Sequence, residues 1–220
     1  MVDEGTSILL TENQEKYVSR GAKKLLGALN HFGIETLSGK RVLDAGASTG
    51  GFTDVVLRKG ASQVFAVDVG YGQLAWSLQN HPQVTIIDRT NIRDLTIEQL
   101  HGRVDIVVAD LSFISLELVL PNLVSVVEPE GEMFLMVKPQ FEVGKDLLGE
   151  GGVVREPALR SLAVKKIATA AWALGWGAQG VVASSLPGPS GNVEYFLWLR
   201  ADADQLRDLD LQSAILEGPE

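Results

Sequence analysis

The stretch LDAGASTGGFTD, residues 43–54, decides the fold around it, because four glycine-rich site motifs compete for it. Gly46 and Gly51 have the spacing of a phosphate loop, G-x-x-x-x-G-K-[ST]. Phe52, however, stands where the lysine should be, and Asp44 would repel a triphosphate. Gly46-Ala47-Ser48-Thr49-Gly50 fits the nucleophile elbow G-x-S-x-G, yet that chemistry needs an acid and then a histidine later in the chain, and no histidine follows His101. The dinucleotide fingerprint G-x-G-x-x-G comes closer, since a strand leads into the turn and Asp68 ends the next strand 24 residues after Asp44. Two residues argue against a pyrophosphate. Ser48 replaces the middle glycine, and Asp44 sets a carboxylate beside the place where phosphates would lie. That carboxylate suits a ligand with an ammonium and a sulfonium and no phosphate, which is the chemistry of S-adenosylmethionine.

Outward from the loop, short apolar runs alternate with helical patterns: RVLDA (41–45), QVFAVDV (63–69), QVTIID (83–88), VDIVVAD (104–110), GEMFLMVK (131–138), then a long helix across residues 157–174. Such alternation predicts an α/β fold with parallel strands and crossover helices on both faces. GAQGVVASSL and NVEYFLWLR, separated by the turn-rich LPGPSG, predict a hairpin-like ending, so seven strands are expected with the last antiparallel. At 220 residues and 45% hydrophobic content the chain can bury one core and is too short for two full-sized enzyme domains. Residues 1–14 are polar with one apolar patch, SILL, and precede the main domain, expected over 15–202; residues 203–220 are expected to form a tail or helix. Residues 15–32 have helical spacing with Gly33 as a stop, and PQFEVGKDLLGEGG (139–152) reads as a mobile loop.

A formal charge of −9 argues against a generic nucleic-acid coat or a membrane-surface binder. Without cysteine there are no thiolate metal ligands, and three histidines (His31, His81, His101) are too few for a structural zinc, so no metal is expected. The N-terminus MVDEGTS lacks an apolar signal region, and no run of about 18 apolar residues occurs. A cytoplasmic protein without a membrane partner is the expectation.

DAGASTGGF, in its strand-turn-helix setting, looks like the cofactor loop of a class I methyltransferase. Asp44 is then placed to attract the methionine ammonium, Gly46 and Gly50 give backbone clearance, and Ala47, Ser48, Thr49, Gly51 and Phe52 complete the loop. Asp68 fits an acceptor for two ribose hydroxyls, with a helix N-cap as the lesser alternative. Asp88 and Asn91 either border the adenine or form a solvated turn. Acceptor chemistry must come from the other strand ends, where ligands gather in open α/β sheets. Asp110 follows the fourth strand, Lys138 the fifth, Glu194 lies in the last, and the first helix offers Lys23 and Lys24. Lysines with carboxylates around a methyl donor suit a hydroxyl acceptor, which must lose its proton before it becomes a good nucleophile. Amino-methylating enzymes often carry an Asn/Asp-Pro-Pro-aromatic run after the fourth strand, and here that place reads DLSF.

YVSRGAKKL, DAGASTGGFTD, VDVGYGQLAWSL, VVADLSFISL, VKPQFEVGK and LPGPSGNVEYFLWL together resemble the TlyA family of ribosomal RNA 2'-O-methyltransferases, within the FtsJ-like group and historically labelled hemolysins. The likeness spans roughly residues 15 to 200. It implies a Lys-Asp-Lys-Glu tetrad falling on Lys24, Asp110, Lys138 and Glu194, with Asp110 also beside the cofactor, and cytidine ribose of ribosomal RNA or ribosomal subunits as acceptor. Family members usually begin with a small RNA-binding domain, and TSILLT resembles its last strand, so residues 1–14 are expected to be its remnant or linker. Phosphate contacts then rest on local basic groups: Arg20, Lys23 and Lys24, Lys138 and Lys145, and Arg155, Arg160, Lys165 and Lys166, the last four reading more simply as a solvated helix face. Two other readings remain at this point. A small-molecule O-methyltransferase should show metal-binding carboxylates or a catalytic histidine, and a membrane-active hemolysin a secretion signal or amphipathic β-hairpins.

Overall fold

The computed structural model describes residues 17–218. The expectation for residues 1–14 lies outside them. Seven strands form one sheet: β1 (Arg41–Ala45), β2 (Gln63–Val67), β3 (Val84–Ile87), β4 (Val104–Ala109), β5 (Val127–Val137), β6 (Gly177–Ala183) and β7 (Tyr195–Arg200), in the order β3-β2-β1-β4-β5-β7-β6. β1 to β5 pair in parallel, and β7 runs antiparallel to both β5 and β6. The helices are α1 (Gly21–His31), α2 (Gly51–Arg58), α3 (Trp76–Gln79), α4 (Leu120–Val126), α5 (Pro139–Glu142), α6 (Pro157–Ala173) and α7 (Asp208–Leu216).

Strand parity builds two cores. Val42, Val64, Ile106, Val108, Phe134, Met136 and Phe196 face α1 and α2, packing on Leu25, Leu29, Phe52 and Val55. Their neighbours Leu43, Phe65, Val107, Ala109, Leu135 and Leu197 face the other way, against Leu120, Leu123, Val164 and Ile167 of α4 and α6. Both faces are covered, so the central strands read as continuous apolar runs instead of alternating ones.

Two segments differ from the sequence expectation and a third is resolved by the structure. The first helix starts at Gly21 with Arg20 in the cap position, because the preceding segment turns to lay Ser19 and Ala22 against Gly51 at the head of α2, where no Cβ could fit. Phe32 ends it and Gly33 follows at φ +73°. Residues 139–152 are not one featureless loop: they contain α5 and two single 3-10 turns, Lys145–Leu147 and Glu150–Gly152. Within the described part of 203–220, α7 buries Leu211 and Ala214 in the α6-side core, so the helix of the two alternatives is what forms there.

Candidate active site

Parallel strands all present their carboxyl ends at one edge, and each ends just before a chemically active residue: Gly46, Asp68, Asp88, Asp110 and Lys138. Reversal of β7 brings its amino end to the same edge. Tyr195 pairs with Val137, so Glu194 arrives beside Lys138. Antiparallel pairing thus allows residues 56 positions apart in sequence to share one wall.

Four side chains meet there as two ion pairs. Lys24 Nζ lies 2.5 Å from Glu194 Oε2, with both side chains almost wholly buried. Lys138 Nζ stands 2.6 Å from Asp110 Oδ1 and donates to Ser112 Oγ at 2.8 Å. Lys24, Asp110, Ser112, Lys138 and Glu194 all line one cleft of about 320 Å³. Residue spacing alone left Lys23 and Lys24 undivided and only the family resemblance chose Lys24; the helix faces Lys24 inward and Lys23 to solvent. A buried ion pair is costly unless geometry and partners are good, so these pairs point to function more than to stability.

A larger cleft of about 750 Å³ adjoins it, sharing Gly46, Ser48, Asp110 and Ser112. Its lining combines Asp68 and Asn91 with apolar Val67, Val69, Ile92 and Leu111. Asp68 Oδ2 accepts from the Ser48 amide at 2.9 Å and Oδ1 from the Gly70 amide at 2.7 Å, which fixes the carboxylate at the cleft while each oxygen retains a second lone pair. The expected pair Asp88 and Asn91 divides. Asn91 lines the cleft and caps a 3-10 turn by accepting from the Arg93 amide, whereas Asp88 turns away to accept from the Gly72 amide.

Two expectations for the glycine-rich loop need correction. Asp44 does not open onto either cleft: it shares its face of β1 with Val42, and α2 covers that face. It is fully buried, takes a 2.6 Å hydrogen bond from Thr53 Oγ1, and leaves Oδ1 without a hydrogen-bond partner. Burial pushes its carboxyl up to about 7, with Asp110 and Asp68 adding to the rise and Thr53 opposing it. Any pull on a ligand ammonium is therefore exerted from beneath the loop. The glycines, likewise, clear space for protein before ligand. A Cβ on Gly46 (φ +84°) would sit 2.6 Å from the Asp110 carbonyl oxygen, and one on Gly50 (φ +92°) would strike Leu74 and Leu78. Ala47, Thr49, Gly51 and Phe52 line the smaller cleft and Gly50 lines neither.

Ser112 and Phe113 entered the site unannounced, and Arg20 was expected only as a basic group for phosphate contacts. Ser112 joins both clefts, and Phe113, 92% exposed at φ +63°, projects from the rim of the larger one. Arg20 lines the smaller cleft and ties α1 to the opposite loop by donating to the Pro187 carbonyl at 2.7 Å. DLSF and VSRG contain these residues, but only the turn geometry reveals which side chains face in. Among the other basic groups, Lys165 pairs with Asp208, Lys166 with Glu117, and Arg160 donates to the Val154 and Arg155 carbonyls.

The FtsJ-like methyltransferase family model matches residues 17–201. A curated relative from Mycobacterium tuberculosis, named 16S/23S rRNA (cytidine-2'-O)-methyltransferase TlyA, is 56% identical over 217 residues, covering 96% of this chain and 80% of that protein. A solved chain from Lactococcus lactis carrying a provisional hemolysin label is 38% identical, with a TM-score of 0.87 over 93% of this chain and 99% of that one. An S-adenosylmethionine dependent methyltransferase from Mesorhizobium loti, 14% identical with a TM-score of 0.56, covers 79% of this chain and 96% of that one and is similar in fold alone.

Proposed function

The chain belongs to the FtsJ-like methyltransferase family, and from that premise we propose that it transfers a methyl group from S-adenosylmethionine to the ribose 2'-hydroxyl of cytidine in ribosomal RNA. One observation carries the reading: two lysine–carboxylate pairs converge in a cleft that opens directly into a larger one bearing a fixed carboxylate. The larger cleft suits an adenosine, with Asp68 receiving the ribose hydroxyls and Val69, Ile92, Leu111 and Asn91 around the base. Its shared border with the smaller cleft at Gly46, Ser48 and Ser112 supports a methionyl end lying beside the tetrad. The cofactor supplies an electrophilic methyl on sulfur.

Every other part of the task falls to the chain. Lys24, braced by Glu194, orients the acceptor hydroxyl, and Lys138, once its ammonium has released a proton to solvent, takes the hydroxyl proton as the new carbon–oxygen bond forms and the carbon–sulfur bond breaks. Asp110, 2.6 Å away, stabilises the ammonium that results. Exposed Arg20 at one cleft and Arg93 at the other supply contacts for flanking phosphates. The acceptor is ribosomal RNA, free or within ribosomal subunits, in the cytoplasm. Incubation of subunits with labelled S-adenosylmethionine, followed by nucleoside mass spectrometry, should yield 2'-O-methylcytidine; label on a base nitrogen, or none in RNA, rejects the reading.

A further inference from the structure

Glu142 is a carboxylate 7% exposed at the end of α5, four residues past Lys138. Both of its oxygens reach across to the loop after β4. Ser115 Oγ donates to Oε2, and the Leu116 amide donates to Oε1 at 2.8 Å. Lys166 of α6 stands 3.7 Å from Oε2 but lies closer to Glu117, at 2.9 Å. The same two segments meet again nearer the chemistry. Phe113 and Phe141 have ring centroids 5.4 Å apart, and Lys138 holds Asp110 and Ser112 as described.

The segment 110–116 is therefore fastened to 138–142 at three levels: ion pair, aromatic contact, and buried carboxylate. The aromatic contact depends on the exposed Phe113 and the ion pair sits at the open cleft, whereas Glu142 binds a backbone amide and a hydroxyl while only 7% exposed. Ser112, Ile114 and Ser115 line the cofactor cleft, and Asp110 and Ser112 line the acceptor cleft as well. Whatever fixes Ser115 and Leu116 thus fixes one wall of both. We propose that Glu142 is a positioning residue for methyl transfer: it locks the β4 loop so that the cofactor wall is formed and Asp110 and Ser112 meet Lys138. This inference rests on the reaction proposed above.

Three variants test it in the full chain: Glu142→Ala, Glu142→Gln and Ser115→Ala, each assayed for KM of S-adenosylmethionine, kcat and thermal unfolding. Removing the carboxylate should raise KM on the order of ten-fold and lower kcat, as expected when charge-assisted hydrogen bonds to a buried donor are lost. Glutamine keeps the shape and an acceptor for the Leu116 amide, so it should restore most of both. Ser115→Ala, which deletes one of the two bonds, should raise KM a few-fold at unchanged thermal stability, and its result decides if Glu142→Ala does not fold. Wild-type KM in Glu142→Ala and Ser115→Ala overturns the inference. So does a kcat loss that follows lowered stability and is not restored by glutamine. Lys138→Ala runs alongside: normal turnover there rejects the proposed reaction itself, whereas its inactivity beside wild-type-like Glu142 and Ser115 variants rejects the positioning role alone.

Discussion

Lys138 and Asp44 are both ionisable groups at strand ends, and burial assigns them different work. Lys138 is 8% exposed yet lines the acceptor cleft, so its amine can meet a hydroxyl. Lys138→Ala should abolish methyl transfer while leaving S-adenosylmethionine affinity within a few-fold, because the lost interaction belongs to the transition state. Calorimetry beside a methylation assay separates the two, and a variant that turns over normally would make Lys138 a mere strand end. Asp44 meets no solvent, and its carboxyl sits near 7 where an unfolded aspartate titrates at 3.8. Between those values the folded state holds a proton that the unfolded state has released. Its contribution to stability is therefore complete below about pH 4, declines as pH rises to about 7, and is level above that. Asp44→Asn removes this titration, so variant stability relative to wild type should improve by about 2–3 kcal/mol between pH 5 and 8. Denaturant midpoints for both proteins across that range measure it; a gap independent of pH would mean Asp44 does not titrate there.

At the scale of elements, the glycine-rich turn after β1 packs tightly on the residue that follows β4, and Gly46 is the contact. Gly46→Ala combines a left-handed backbone with a Cβ 2.6 Å from the Asp110 carbonyl, so β1 and β4 must part and carry Asp110 with them. Gly72→Ala shares the positive φ (+64°) but meets nothing within 4 Å, which makes it the control for conformational strain alone. We expect about 1 kcal/mol from the control and clearly more, with lost turnover, from Gly46→Ala; equal costs would remove the steric argument. Much of this architecture was legible in sequence because strands covered on both faces read as apolar runs that stop at Gly46, Asp68, Asp110 and Lys138. Parity was also there to be used. Asp44 lies two residues from Val42 and so had to point at α2, but a carboxylate at a strand end invited an exposed reading. The role of Glu142 could not be read in advance, since nothing local in PQFE indicates that α5 folds back onto Ser115. Phe113 was invisible for the same reason: its exposure follows from a positive φ in a turn.

For the whole molecule, the difficulty is that a chain of formal charge −9 is assigned a polyanion as substrate. The fold resolves part of it by location. In the later region acidic neighbours already offset part of the positive charge, as the surface pairs Lys165–Asp208 and Lys166–Glu117 show, and Arg20, Lys23, Arg89 and Arg93 are exposed as well. Arg20 and Arg93 line the two clefts themselves. Such a surface can neutralise only a few phosphates, and each contributes a slope of roughly −0.7 to −0.9 to log K against log salt. RNA affinity should therefore be weak, with a total slope of about −2 to −4. Charge reversal at Arg20 or Arg93 should flatten it by about one contact and lower affinity for all sequences alike. Fusing a small basic RNA-binding domain upstream of residue 17 should steepen the slope and tighten binding without changing affinity for S-adenosylmethionine, because a tethered second contact raises the effective concentration of RNA at the site. Filter binding across a salt series, with and without the added domain, measures both slopes. If this chain alone gives a slope near −8, a larger basic surface must engage the RNA than the exposed arginines at the strand edge provide.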